Sequence, residues 1–202
     1  MKRQLALLSL AACAAAHAGP SVLESVEIVP SKKESFSSPT LIKFQTKSAD
    51  IVSVDLELGD SLGNLVLRVN PVAGVKGDFI VEQSFETSMT VMEEGPHLDL
   101  VDWKHYTSPW VPLKRISATE FRIPVISDED TQRFPAVTPK EIRAIVTKEG
   151  GAKLGEYVSK VKGPNDYPCG VGLSKISFRI ILKNGGEAKV VKTLEFLVPM
   201  GC

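Results

Sequence analysis

Charge of one sign is not in excess. Lys plus Arg is 24 and Asp plus Glu is 24, a formal net charge of zero. That excludes a strongly basic nucleic-acid binder and an acidic solvating tail. No later stretch comes near the roughly 20 apolar residues of a spanning helix; the run Leu5 to Ala16 is short and N-terminal. There are three Cys, three His and two Trp, and no Cys-x-x-Cys or His-x-x-x-His spacing. The usual metal signatures are thus missing, and no glycine-rich loop suggests a cofactor, so neither a metal nor a cofactor is expected. What is present is 43% hydrophobic and 24% charged residues, the balance of a folded domain rather than a disordered one. Fifteen Gly and thirteen Pro suit a chain rich in turns.

The first residues read as an address. Lys2 and Arg3 precede the apolar run, and Ala16-His17-Ala18 is a small-x-small cleavage site, so residues 1–18 have the pattern of a secretory signal. A second cut competes: Leu10-Ala11-Ala12-Cys13 resembles the bacterial lipobox, in which Cys13 would be acylated and become the first residue. Either way the expectation is export to the periplasm or the outside of the cell. The membrane would be touched only through a lipid anchor on Cys13. Removing residues 1–18 takes away Lys2 and Arg3, leaving 22 basic against 24 acidic side chains. Neither nucleic acid nor anionic lipid would be captured by such a surface.

Two cysteines remain after either cut, Cys169 and Cys202, and an even count in an exported chain favours a disulfide. The hairpin between them supports the pairing. Ile176, Phe178, Ile180 and Leu182 alternate with polar residues, Val190, Leu194, Phe196 and Val198 share one parity, and Asn184-Gly185-Gly186 is a strong turn. Both apolar sets are even-numbered, so facing partners must sum to an even number. A three-residue loop with Gly186 left-handed gives 370, which sets Cys169 opposite Gly201, next to Cys202. The bond would close a loop worth about 2–4 kcal/mol in the chain-entropy model.

The rest reads as strands. Val22 to Val29, Leu41 to Thr46, Val52 to Leu58 with Leu65 to Val69 as a hairpin around Gly59 to Asn64, Phe79 to Met92 with Leu98 to Tyr106, and Thr119 to Val125 all carry strand patterning. The expected fold is all-β: an antiparallel β-sandwich, Ig-like in general character, with at most one or two short helices. Leu62 to Val69 echoes Leu154 to Val161, which suggests two sandwich halves, 19–112 and 113–202, the second ending in a hairpin over 171–198. A single domain over 19–202 fits equally. Residues 139–162 stay open between helix and hairpin. Thr138-Pro139-Lys140-Glu141 is a good helix start, but Gly150-Gly151 cuts the run and Ile, Val, Thr and Tyr dominate it.

Some short strings look like chemistry. Gly59-Asp60-Ser61-Leu62, Asp102-Trp103-Lys104-His105 and Gly163-Pro164-Asn165-Asp166 resemble the motifs of the GDSL (SGNH) hydrolases. That resemblance implies Ser61 as nucleophile, His105 as base and Asp102 as its partner, in a small secreted ester hydrolase. The order departs from the family, which carries Asp-x-x-His after Gly-x-Asn-Asp, and the nucleophile there opens a helix after a buried parallel strand. Turn residues belong in such a loop in any case. His97, Asp99 and His105 share a parity, but eight residues of strand hold the two imidazoles about 26 Å apart at ~3.3 Å per residue, so no metal is assigned.

Both Trp residues, Trp103 and Trp110, lie in 97–112 with His105 and Tyr106, and Pro109 and Pro112 frame Trp110. Trp103 shares a parity with Val101, as a core residue would. Rigid Trp and Tyr on a loop are also what protein interfaces and sugar platforms use. With no complete catalytic set, the reading is an exported non-catalytic binding protein, an inhibitor, immunity factor or assembly subunit. Trp103, His105, Tyr106 and Trp110 form its candidate surface, and its partner is another protein or, as a carbohydrate-binding module, a glycan.

Overall fold

Alternating strands bury one face each, and in the computed structural model two sheets close over one another to do so. The structure describes residues 21–29, 42–45, 51–92 and 97–200. The first sheet holds β1 (Leu23–Val29), β2 (Ile42–Gln45), β4 (Val66–Pro71), β9 (Lys114–Arg115) and β10 (Glu120–Arg122), in the order β2-β1-β4-β10-β9. The second has β3 (Ile51–Asp55), β12 (Glu187–Leu197), β11 (Cys169–Asn184), β5 (Asp78–Val91) and β6 (Leu98–Asp99) in that order. The short strands β7 (His105–Thr107) and β8 (Val111–Pro112) also lie on β5. Two helices complete the described residues, α1 (Asp128–Thr131) and α2 (Pro139–Tyr157). The sandwich expected from the alternation is therefore what forms. Each sheet mixes strands from 19–112 and 113–202.

Two stretches expected as neighbours are not. The runs around 52–58 and 65–69 do not make a hairpin: β3 pairs in parallel with β12 in one sheet, while β4 lies between β1 and β10 in the other. The connection crosses the sandwich, burying Leu56 and Leu62 between the layers. Both strands still point their apolar parity at one core, which is all the alternation specifies. The echo of Leu62 to Val69 in Leu154 to Val161 is likewise not structural, since the first enters β4 and the second ends α2.

The last hairpin turns on two residues, not three. Asn184 pairs with Glu187, and Gly185 and Gly186 both have positive φ, 58° and 95°. That is the backbone of a tight hairpin turn matched to strand twist. Partners near the turn sum to 371, which would turn the even set of β12 to water. A bulge between Ile180 and Ile181 inserts Val191 and corrects it, so that Phe178 faces Leu194 and Ile176 faces Phe196. Val190, on the turn side of the bulge, points outward and is 47% exposed.

The first core joins Val26, Ile28, Leu67, Val69 and Phe121 of one sheet to Phe79, Val81, Phe178 and Phe196 of the other. The paired strands β5 and β11 run on beyond the first sheet. There a second core forms, in which α2 covers Met89, Val91 and Cys169 with Ile142 and Val146. The helix exists because its start is strong. Thr138 Oγ1 accepts from the Glu141 N–H, and the Glu141 carboxylate accepts from the Thr138 N–H at 2.8 Å, with Pro139 opening the first turn. The glycine pair bends it rather than ending it: Gly151 leaves helical geometry at φ 86° and two helical pieces meet there.

Glu141 also takes the Lys104 ammonium at 2.7 Å. The Lys104 bond first, and the Thr138 bonds next, lower its pKa from 4.5 to about 2. A carboxylate whose folded pKa is depressed stabilises above its unfolded pKa and loses that contribution as pH falls through the folded value. Glu141→Gln, which keeps a capping side chain but not the charge, is therefore expected to lower the urea midpoint at neutral pH. The gap from the native chain should close between pH 4.5 and about 2, as followed by circular dichroism. A gap independent of pH would reject the charge assignment.

Candidate functional site

The odd-numbered residues of β5 face inward along its whole length. Phe79 and Val81 belong to the first core and Met89 and Val91 to the second. Gln83, Phe85 and Thr87 fall between, where neither the first sheet nor α2 covers the strand. A cleft of about 350 Å³ opens at this seam. Its floor is Gln83 and Phe85, one wall is the strip from Tyr106 to Leu113, and the other is Pro124 to Ile126 with Arg133. On the far side of Gln83 lies a smaller cavity of about 110 Å³, bordered by Ser61, Leu62 and Thr131. Gln83, Pro124, Val125 and Ile126 line both.

The strip is held rigidly. Ser108 donates its N–H to Phe85 O at 2.9 Å and accepts the Phe85 N–H on Oγ at 2.9 Å, while Ser84 Oγ donates to Ser108 O at 2.7 Å. Leu113 N–H donates to Val81 O at 2.8 Å. Pro109 and Pro112 stiffen what lies between. Tyr106 leans on Phe85 with ring centroids 6.0 Å apart. Arg133 lies over Tyr106, donates to its hydroxyl at 3.3 Å, and is neutralised by Asp130 at 3.1 Å. The Tyr106 bond first, then the Asp130 charge, raise the guanidinium pKa above its ordinary value. Thr87 Oγ1 donates to the carbonyl of Arg133, fixing that wall to β5.

Gln83 is the anomaly of the seam. It is 6% exposed, and its Oε1 is a buried side-chain oxygen with no hydrogen-bond partner among the described residues. Buried polar atoms are nearly always paired, so an orphan calls for a reason.

The four residues expected to share a surface are divided. His105 and Tyr106 are adjacent in β7, opposite Ser88 and Thr87 of β5. They point to opposite faces, and Tyr106 alone enters the cleft. Trp103 packs on Phe134 at 6.2 Å beside the second core. Trp110 stacks under the Arg179 guanidinium at 4.6 Å, and Arg179 is also bonded to Glu82 on the outer face of the second sheet.

Nor do the hydrolase-like strings meet. Ser61 accepts from Gly63 N–H at 3.3 Å, and Asp60 braces the same loop by accepting from Glu57 N–H at 3.0 Å. Among the described residues no hydrogen bond joins Ser61, Asp102 and His105. A strand, β4, follows the loop where the hydrolases have a helix. Asn165 and Asp166 accept from Val171 N–H and Lys162 N–H, shaping the turn into β11. His97 Nε2 lies 3.3 Å from Asp99 Oδ2, away from any third ligand among the described residues.

Cys169 is buried in the second core and forms no disulfide among the described residues. Burial chiefly, with the charge of Asp166, raises its thiol pKa to about 11. Residues 1–18 with Cys13, and Cys202, lie outside the described residues. The final register differs from the one expected: Val198 N–H donates to Ser174 O at 2.9 Å, and the Met200 methyl stands 3.7 Å from the place of a Cβ on Gly172.

No family model matches the chain, and neither the curated proteins nor the solved structures contain a match. Among the described residues no helix is long and apolar enough to cross a membrane. The strip and the cleft behind it are the features on which a functional reading rests.

Proposed function

We propose that this chain is an exported, non-catalytic β-sandwich that works by binding another protein in the cell envelope or outside the cell. The observation carrying the reading is the strip pinned along β5, which holds Trp110, 36% exposed, on the outer face of the second sheet between stiff prolines. An aromatic anchor that needs no ordering on contact is how interfaces gain affinity cheaply. The divided aromatics do not favour a flat glycan platform, and the Ser61 loop does not favour ester hydrolysis.

Export rests on residues 1–18, and the pairing of Cys169 with Cys202 accompanies it. The mass of the purified native chain tests both: free Gly19 or acylated Cys13 at the N-terminus, and two hydrogens fewer than the reduced form. An intact Met1 would refute export. For binding, the immobilised chain is expected to retain one protein from native envelope extract. Trp110→Ala should weaken that capture by about 30-fold, the effect of losing about 2 kcal/mol at an interface hot spot. Retention indifferent to the loss of the Trp110 side chain would refute the strip as the interface.

A further inference from the structure

We propose that the cleft between the two cores is a binding site for a small neutral molecule with an apolar, ring-sized body and one N–H or O–H group that donates to Gln83 Oε1. This goes beyond the protein interface of the outer strip and stands independently of it.

Four observations converge. The volume, about 350 Å³, is at the lower end of small-molecule pockets and equals roughly a dozen waters; the neighbouring 110 Å³ would hold about four. The lining is apolar: Phe85, Tyr106, Val111, Leu113, Pro124 and Ile126 supply most of it. The two charges that border it, Arg133 and Asp130, cancel at 3.1 Å, so nothing attracts an ion. The walls are already in place, through Ser108 on one side and Thr87 on the other.

Gln83 decides the polarity of the ligand. It stands at an inward position of β5, in the series Phe79, Val81, Gln83, Phe85, where Leu or Met would seal the seam. Its oxygen is removed from solvent and unpaired. Leaving an acceptor so costs free energy that an apolar residue would avoid. A ligand donor that meets Oε1 as the amide turns from its buried position into the cleft recovers that cost, and a ligand without one does not. An amide in this position discriminates between molecules of the same shape that differ by one donor.

The test uses the full chain and two matched pairs of probes: indole against 1-methylindole, and phenol against anisole. Calorimetric titration of the native chain is expected to show saturable 1:1 binding of indole or phenol. The methylated counterpart should bind at least about 5-fold more weakly. In Gln83→Leu that ratio should fall to about one, with the thermal midpoint no lower than that of the native chain. If Gln83→Leu does not fold, Gln83→Met carries the same comparison. No saturable binding of any of the four probes overturns the proposal. So does equal affinity within both pairs for the native chain, or discrimination that survives the loss of the amide. None of these outcomes depends on Trp110, so the protein-interface reading fails or survives separately.

Discussion

Truncating Phe178 to alanine is expected to destabilise the fold by about 3–5 kcal/mol, the range for deleting a fully buried aromatic side chain. Phe178 is completely buried and meets Phe196 edge-on with ring centroids 5.9 Å apart. It stands at the centre of β11, paired with Gln83 on one side and Leu194 on the other. Nothing near it can collapse into the space, because both neighbouring strands are held in ladder register. The urea midpoint should drop with an unchanged m value, since the native fold is loosened but not unwound. A loss below about 1 kcal/mol would mean that the first core does not depend on this ring.

The second large effect separates the two cores. Ile142 is fully buried, and with Val146 it fixes α2 over Met89 and Val91. Ile142→Ala should remove about 2–5 kcal/mol of packing. Because the helix touches only this end of the long strands, the loss is expected to be regional. Hydrogen exchange should speed up in α2 and at 89–91, while the amides of β4 stay protected. Equal acceleration at β4 would show that the sandwich and the helix layer unfold as one unit.

Much of this architecture was legible because period-two patterning speaks directly to burial. Phe178, Ile180, Leu194 and Phe196 announced both their strands and their shared face, and the bulge at Val191 exists to honour that parity. The helix start was equally plain in Thr138, Pro139 and Glu141, yet the branched and aromatic residues beyond it argued for strand. Docking on the second core overrode that propensity. The β3–β12 pair could not be read, since a parallel partner 142 positions away at Ser53 and Glu195 leaves no local mark.

The site was legible only in part. Segment 97–112 stood out by its aromatics, and Tyr106 does line the cleft. But neighbours in a strand face opposite ways, so His105 and Tyr106 could never have served one surface. Gln83 left the better signal, an amide between Val81 and Phe85 on the apolar parity of its strand. Arg133, Pro124 and Ile126 had none, being brought to the seam by the chain's path from β10 through α1 toward α2.

Ser174 lets both cores form on one face of the second sheet. Along β11, Cys169, Val171 and Leu173 are odd and Ile176, Phe178 and Ile180 are even, yet all six look toward the same side. They can because the ladder with β5 slips by one residue between Leu173 and Lys175. Were Ser174 instead taken into an uninterrupted ladder, with no bulge to absorb it, the two triplets would face opposite sides. The helix would then have to dock on the back of the sheet, and no notch would be left between two lids on a common base.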